Sequence, residues 1–540
     1  MGVLDYILAG IMEALTGNPA LVLGPIVLSW PVLLVALGFL TGVLIGATPG
    51  LSGPFAMALA LPILISIFGF TPDALLPVLG FLVGIMKGAT VGGAVPAILF
   101  NTPGTPDAFM TTLDGYPMAK KGQGGKALRV AHFASVSGDT FSDIVLFVCA
   151  PFLAISIEAF LGLPEKAALM ILSLSFVAVV VGNDTWKGIM AACFGLLAAS
   201  IATGTDSYPR LSMGSDVLAA GLPTIAVVIG VLVVGEIFTS FEDMWTSARE
   251  KRPEPAAADP GDSTLTMAKR RRLLPFIGTS MTIGTVIGAL PGIGTTLAAA
   301  LGYTAGRKMH KGATRFGEGA PEGIAATEAA NSAVSGANLI PALSLGIPGN
   351  VAAVFIILAA DTIGGFNPGP SVFRSTADEV NPELVVAFAL FTLMVAANLM
   401  NWITGAWFMR LLGGLIRIPK QVLLPIVLLL TITSVYVQSA KMSDVYVLLF
   451  FGAAGYLMRR TGVPILPFVI AYILTDPLET TIRAAFEASG SDPWFLFGGV
   501  IAPAFLACAA AIVLGAGWLR GTPAPVPAPA PASEKETTID

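Results

Sequence analysis

Apolar runs recur along the chain from Leu21 to Leu519. Each is long enough to cross the hydrocarbon core of a bilayer as a helix, which takes about 17–25 residues. A transmembrane β-barrel would instead show short segments in which apolar and polar residues alternate. The pattern therefore predicts an all-α polytopic membrane protein that lies in the lipid bilayer.

Two polar segments divide the chain. Residues 246–272 are polar, contain Pro and are basic at both ends, which predicts a cytoplasmic linker between two membrane halves, residues 1–245 and 273–520. Residues 521–540 alternate Pro with Ala, a composition that favours extended chain and cannot bury a core. We therefore expect a disordered cytoplasmic tail after the second half.

The two halves repeat each other around Pro-Gly pairs. "GVLIGATPGLSG" (Gly42 to Gly53) aligns with "GTVIGALPGIGT" (Gly284 to Thr295). "VPAILFNTPGT" (Val95 to Thr105) aligns with "IPALSLGIPGN" (Ile340 to Asn350) at nearly the same separation along the chain. Two matched motifs at one separation are poorly explained by chance, so the halves are interpreted as structural repeats.

Loop charges indicate how the repeats are oriented, because Lys and Arg concentrate in cytoplasmic loops. In the first half, residues 68–74 after the first motif have no basic residue, whereas the loop after the second motif is basic. The second half reverses this order. Equivalent loops thus lie on opposite sides, which is typical of inverted-topology repeats in secondary transporters. The basic loops contain Lys120, Lys121, Lys126 and Arg129 in the first half, and Arg307, Lys308, Lys311 and Arg315 in the second.

The same rule predicts about 11–12 transmembrane crossings with a cytoplasmic C-terminus. Residues 273–301 would be about 44 Å long as one straight helix, although basic residues flank both ends. A break at the Pro-Gly pair of this run gives two passes and leaves both flanks on one side. Some apolar stretches are therefore expected to be re-entrant or broken.

The Pro-Gly pairs are candidate binding sites because a broken helix exposes backbone groups that must be buried in protein or face a water-filled site. Half-helix N-termini suit an anion, and unwound carbonyls suit Na⁺. Simple kinks are the alternative. The predicted substrate-binding residues are Thr48, Pro49, Gly50, Ser52, Asn101, Thr102, Pro103, Gly104, Thr105, Pro291, Gly292, Asn331, Asn338, Pro348 and Gly349, and the predicted ion-binding residues are Gly46, Gly288, Glu328, Asn331, Ser335 and Gly346.

A polar stripe precedes the last break. Glu328, Asn331, Ser335 and Asn338 recur at helical spacing and so share one face of an Ala-rich helix. Such a stripe faces either a cavity or a neighbouring helix, where small and amide residues join helices. Both interpretations stay open at this point.

Lys87 stands in an apolar run, where a charge is costly and is a functional hypothesis by default. Its alternatives are snorkelling to the interface or pairing with a carboxylate such as Asp139 or Asp143. These two aspartates are spaced to share a helix face, and could also contribute to a cation site.

Composition argues against several other functions. Only 12% of residues are charged, the net charge is −5, and the mean hydropathy is +0.82. No basic patch predicts nucleic-acid binding. The sequence has no phosphate-binding loop, no Cys cluster and no zinc-protease motif. An enzyme is therefore not expected, although an intramembrane aspartyl site formed by Asp139 or Asp143 with Asp361 stays open as an alternative.

Four long motifs resemble the large permease subunit of tripartite tricarboxylate transporters, the TctA family, and the likeness runs from about Pro31 to the last apolar run. The family's Glu-Ala-Ala-Asn stretch falls on Glu328 to Asn331, and its Pro-Gly signatures fall on residues 46–50, 101–104, 288–294 and 346–349. The motifs are "GATPGLSG", "GGAVPAILFNTPGTPDAFMTTLDGYPMAKKGQGGKAL", "RFGEGAPEGIAATEAANSAVSGANLIPALSLGIPG" and "GGFNPGPSVF".

The resemblance implies a secondary importer of small carboxylates such as citrate in a bacterial inner membrane. It would be driven by an ion gradient, usually Na⁺, with no cofactor. The implied partners are a small TctB-like membrane subunit and a periplasmic TctC-like solute-binding protein. The chain departs from the family at Ser332, where a second Asn is usual, and near Lys87, so citrate itself is not assumed. A stand-alone carboxylate carrier is the rival interpretation.

Overall fold

The computed structural model describes residues 3–23, 26–48, 51–181, 184–202, 210–219, 221–246, 265–374, 380–415 and 420–519. Within these ranges all regular secondary structure is helical apart from one short hairpin, so the predicted all-α class is confirmed. Pro49 and Gly50, most of the predicted linker and the predicted tail lie outside the described residues.

The described part of the first half contains eleven helices and one β-hairpin. The strands β1 (Pro19–Leu23) and β2 (Ile26–Ser29) pair antiparallel. Irregular helical turns at Pro106–Ala108, Ala119–Gln123 and Gly230–Val234 join neighbouring helices. The helices are α1 (Val3–Thr16), α2 (Trp30–Gly46), α3 (Gly53–Phe68), α4 (Pro72–Phe100), α5 (Phe109–Met118), α6 (Gly124–Phe160), α7 (Leu163–Val180), α8 (Thr185–Ala202), α9 (Asp216–Ala219), α10 (Thr224–Ile229) and α11 (Gly235–Thr246).

The first helix described after residue 246 starts at Met267. Its first turns are rich in Lys and Arg, which are good helix formers. Irregular turns lie at Pro370–Phe373, Asn401–Gly405 and Phe495–Phe497. The helices are α12 (Met267–Gly288), α13 (Thr295–Met309), α14 (Pro321–Ala337), α15 (Leu339–Leu345), α16 (Val351–Ile363), α17 (Pro382–Met400), α18 (Ala406–Leu415), α19 (Lys420–Ser439), α20 (Met442–Thr461), α21 (Ile465–Ala488) and α22 (Ile501–Leu519).

Six helical segments of the described chain are long and apolar enough to cross a membrane. They are 72–100, 109–157, 163–180, 224–242, 382–409 and 465–488. Shorter apolar helices include α2, α3 and α16, which border the Pro-Gly sites. The chain is thus a polytopic membrane protein with interrupted helices, while the number of crossings and the inverted orientation of the repeats stay predictions.

Every Pro-Gly site falls between two helices. In the first copy α2 ends at Gly46 before α3 begins at Gly53, and α4 ends before Asn101, which adopts a left-handed conformation at φ 53°. In the second copy α12 ends at Gly288, and α15 ends before Gly346, which is left-handed at φ 71°. The order of helix and break is therefore the same in both copies.

Helices α4 and α14 hold equivalent positions in the two copies and are buried along nearly their whole length. Helix α2 packs along α4 with its glycines against α4 carbonyls, so that a Cβ at Gly42 would clash with the Ile85 oxygen. Helix α12 packs along α14 in the same way, with Gly284 against the Ala330 oxygen. Small residues thus allow the close packing that encloses both central helices.

Candidate functional site

The two breaks of each copy contact each other. In the first copy, the Gly104 amide lies 3.4 Å from the Gly93 carbonyl oxygen, and Gly104 packs directly against the carbonyl oxygen of Gly46. In the second copy, the Gly292 amide donates to the Gly349 carbonyl oxygen at 3.0 Å. Each repeat therefore brings its two interruptions into contact, while their role as a shared binding site stays a prediction.

The two copies also contact each other beside the breaks. Thr296, in the first turn of α13, donates its hydroxyl to a carboxylate oxygen of Asp107 at 3.3 Å. Asp107 follows the "NTPGT" break of the first copy and is partly exposed. The start of α13 thus meets the segment after the second break, which joins the two halves at the candidate site.

Several predicted hydroxyl and amide groups near the breaks bond to backbone. The Thr48 hydroxyl donates to the Leu44 carbonyl at 2.9 Å, and the Thr102 hydroxyl donates to the Phe100 carbonyl at 3.2 Å. Ser52 caps the N-terminus of α3 by accepting from the Phe55 amide at 3.3 Å. Asn350 caps α16 in the equivalent way. Part of the polar clustering at the breaks is therefore explained by helix capping.

The remaining predicted residues differ in exposure. Asn101 is exposed, and Pro103 and Pro291 are partly buried. The buried residues are Gly104, Thr105, Gly292, Pro348 and Gly349, together with Gly46 and Gly288, while Gly346 is partly buried.

The polar stripe of α14 is fully enclosed. Glu328, Asn331, Ser335 and Asn338 are each at most 5% exposed. Asn331 Oδ1 and both side-chain polar atoms of Asn338 have no hydrogen-bond partner among the described residues, and neither does the neighbouring Ser332 hydroxyl. Asn338 also packs against Gly349 of the last break. Unsatisfied buried polar atoms cost about 1–3 kcal/mol each, so several on one helix face indicate a site for a polar ligand.

Glu328 lies in a pocket of oxygen atoms. One carboxylate oxygen accepts a short hydrogen bond from the Thr111 hydroxyl, and the other accepts from the Ser135 hydroxyl at 2.8 Å. The Thr327 hydroxyl lies 3.2 Å from that of Thr111. No basic side chain pairs with Glu328 among the described residues. A carboxylate among hydroxyls is the kind of ligand set that hard cations take.

Lys87 is paired with carboxylates, which was one of the alternatives that the sequence left open. Its ammonium bonds Asp139 at 2.6 Å and Asp143 at 2.7 Å, and all three side chains are buried. Asp361 instead lines a cavity of about 400 Å³ with Gly346, Tyr472 and Asp476. The described contacts therefore do not bring Asp361 to Asp139 or Asp143 as an aspartyl enzyme site would require.

Asp114 fixes the start of α14. Its Oδ1 accepts hydrogen bonds from the backbone amides of Gly317 at 2.9 Å, Gly319 at 2.9 Å and Ala320 at 2.8 Å. Gly317 and Gly319 have φ values of 91° and 96°, which favour glycine. The "RFGEGAPEG" segment thus wraps a carboxylate from α5 and positions the helix that carries the polar stripe.

The partners of Glu328 could not be predicted from the sequence because they come from distant segments. Thr111 lies on α5 and Ser135 on α6, far from α14 in the chain. One signal was present: Ser135, Asp139 and Asp143 recur every fourth residue, which places them on one face of α6.

The fold is that of an all-α polytopic membrane protein in which interrupted helices pack around a buried polar stripe. Residues 32–470 match the model of the "Tripartite tricarboxylate transporter TctA family". The chain belongs to this family, whose members are the large subunits of tripartite tricarboxylate transporters.

Two relatives come from Agrobacterium vitis. The "Uncharacterized 52.8 kDa protein in TAR-I ttuC' 3'region" is 30% identical over 480 residues, covering 88% of this chain and 91% of the relative. The "Uncharacterized protein in TAR-II ttuC' 3'region" is 29% identical over 231 residues, covering 43% of this chain and 92% of the relative. No solved structure matches the chain.

Proposed function

We propose that the chain imports a small di- or tricarboxylate across the bacterial inner membrane, driven by an inward Na⁺ gradient. The observation that carries this proposal is the enclosed α14 stripe, where the unpartnered side-chain amide of Asn338 and the unpartnered Oδ1 of Asn331 lie on the same helix face as the oxygen-lined Glu328. Amide donors suit a carboxylate, and oxygen ligands suit Na⁺.

The substrate position is proposed at the second-copy breaks. The bond between Gly292 and Gly349 holds the break before α13 beside the break before α16. The N-termini of both helices carry partial positive charge, which attracts a carboxylate. Asn338 packs against Gly349 through its backbone and Cβ, and its side-chain amide has no partner among the described residues, so we assign this amide to the substrate. Residues Asn101 to Thr105 and Thr48 to Ser52 would complete the site from the first copy.

The Na⁺ position is proposed at Glu328. Thr111, Ser135 and Thr327 supply hydroxyl oxygens around the carboxylate. Asn331 and Ser335 follow on the same face of α14. The carbonyl oxygens at the helix ends Gly46, Gly288 and Gly346 would complete the ligand set. Bound Na⁺ would neutralise Glu328, which reduces the cost of a charge at membrane depth.

The proposed partners follow from membership in a family of three-part transporters. A small membrane subunit would accompany this chain, and a periplasmic binding protein would deliver the carboxylate, with the C-terminus in the cytoplasm. A carrier that needs no binding protein is the rival.

Proteoliposomes test the proposal. We expect labelled di- or tricarboxylate to accumulate only with an inward Na⁺ gradient and with the binding protein present. Uptake without the binding protein would support the stand-alone carrier, and recovery of a chemically altered product would support an enzyme. Uptake that is unchanged in both Asn101→Ala and Asn331→Ala, at normal expression, would show that the site is assigned wrongly.

A further inference from the structure

The Lys87 ammonium is held in a complete set of hydrogen bonds. Its Nζ donates to Asp139 Oδ1 at 2.6 Å and to the two carboxylate oxygens of Asp143 at 2.7 Å each. An ammonium has three N–H donors, so this group has none left over. Lys87 lies near the middle of α4 and is 0% exposed, which shows that its charge does not reach the membrane surface.

An amide completes the cluster with an unused oxygen. Asn398 on α17 donates its Nδ2 to Asp143 Oδ2 at 2.6 Å. Its Oδ1 has no hydrogen-bond partner among the described residues, although Asn398 is only 4% exposed. Two carboxylates and a free amide oxygen are ligands that a hard monovalent cation takes in membrane transporters.

The charges of the cluster do not cancel. One ammonium faces two carboxylates, whereas a purely structural ion pair needs only one of each. Every additional buried charge costs several kcal/mol, so a second carboxylate would be unfavourable if the cluster were only an ion pair between helices. The surplus of oxygen ligands and negative charge is the pattern of a cation site.

The cluster adjoins the candidate Na⁺ site. Gly336 of α14 packs directly against Asp143, and Ser135, one turn before Asp139 on α6, bonds Glu328. The contacts advance in the same direction along both helices, so α6 and α14 run parallel. Two cation positions therefore lie along one helix pair, one around Glu328 and one around Lys87.

We propose that Asp139, Asp143 and Asn398 form a monovalent-cation site whose permanent occupant is the Lys87 ammonium. The chain thus supplies from its own sequence a positive charge that a dissolved Na⁺ would otherwise provide. This inference deepens the proposed ion coupling and rests on it. Its consequence is that replacing Lys87 by an uncharged residue creates a site for one additional Na⁺.

Equilibrium binding of radiolabelled Na⁺ to the purified full-length chain tests this inference. We expect Lys87→Met to bind one more Na⁺ per chain than the wild type. Its melting temperature should also rise further in NaCl than in choline chloride at equal ionic strength. Lys87→Arg keeps a tethered charge and is the matched control, with Na⁺ binding as in the wild type. Adding Asp143→Asn to Lys87→Met removes ligands and should abolish the gain.

A folded Lys87→Met chain that binds no more Na⁺ than the wild type overturns the proposal. If Lys87→Met is recovered only in NaCl and not in choline chloride, the proposal is supported. If Lys87→Met cannot be recovered in either salt, the test uses Lys87→Met combined with Asp139→Asn, which has the wild-type net charge. Additional Na⁺ binding by this double variant supports the site, and the absence of additional Na⁺ binding overturns the proposal. The readout needs no carboxylate transport, so a failure of the proposed function is seen separately in proteoliposomes.

Discussion

Buried carboxylates lie at two places along the pair of helices α6 and α14, and their hydrogen-bond partners differ. Asp139 and Asp143 share the Lys87 ammonium and the Asn398 amide, all from the chain itself. Glu328 has only hydroxyl partners within the described part of the chain, and the amides that follow it on its face have unpartnered atoms. The comparison teaches that a charge satisfied within the chain belongs to the permanent structure, whereas one surrounded by neutral oxygens is suited to an exchangeable ion.

The largest expected effect comes from removing the internal cation. Lys87→Ala leaves two buried carboxylates without their ammonium, and breaking a buried ion pair costs about 3–5 kcal/mol. We expect a large fall in the melting temperature of the purified chain in choline chloride. Lys121→Ala removes an exposed lysine that bonds the Glu318 carbonyl, and it should change the melting temperature little. Equal falls in both variants would contradict the distinction between the buried and the exposed lysine.

The next effect concerns the exchangeable site. Glu328→Gln keeps the shape of the side chain but removes its charge. This change should weaken Na⁺ binding by about 3 kcal/mol, which corresponds to a roughly 100-fold higher Na⁺ requirement. The check is the Na⁺ concentration that gives half-maximal uptake in proteoliposomes. Glu322→Gln, on the same helix but paired with Arg272, is the control and should retain the wild-type Na⁺ requirement. An unchanged requirement in Glu328→Gln would remove Glu328 from the ion site.

The variant Asn338→Ala distinguishes an effect on stability from an effect on transport. Its side-chain polar atoms have no partner among the described residues, so Asn338→Ala loses no such hydrogen bond and should change the free energy of unfolding by less than about 1 kcal/mol. If the amide binds substrate, the KM for carboxylate should rise about tenfold, the effect of about 1.4 kcal/mol. Melting temperature and uptake kinetics measured on the same preparation check this. A large loss of stability with an unchanged KM would mean that Asn338 serves helix packing and does not bind substrate.

The smallest expected effect is at a single hydroxyl. Ser135→Ala removes one hydrogen bond to Glu328, worth about 1 kcal/mol, and should raise the Na⁺ requirement about fivefold. Ser137→Ala is a matched control because that hydroxyl bonds the Phe133 carbonyl of its own helix. Sodium titrations of uptake compare the two variants, and an equal response would indicate a general effect on α6.

The sequence predicts the helical class and the positions of the breaks well, because both depend on local composition. Long apolar runs specify helices in a membrane, and Pro-Gly pairs end helices wherever they occur. Gly46, Asn101, Gly288 and Gly346 are accordingly found at helix ends or caps. The polar stripe of α14 was also visible, since helical spacing alone places its residues on one face.

Partners across helices could not be predicted in the same way. Thr111 and Ser135 reach Glu328 from α5 and α6, and this convergence depends on how glycines allow those helices to pack. The pairing of Lys87 was one of several open alternatives, because spacing shows which residues share a helix face but not which helix lies opposite. Ser52 shows a second limit, since its hydroxyl caps α3, a structural role that the pattern around the break did not predict.

Equilibrium binding of radiolabelled Na⁺ to the purified wild-type chain and to Glu328→Gln shows whether the exchangeable cation lies beside Glu328. The account predicts saturable Na⁺ binding by the wild type that carboxylate strengthens, and loss of that binding in Glu328→Gln while the protein stays folded. Equal Na⁺ binding by the two proteins would contradict the account, because the exchangeable cation would then be held elsewhere than beside the α14 stripe.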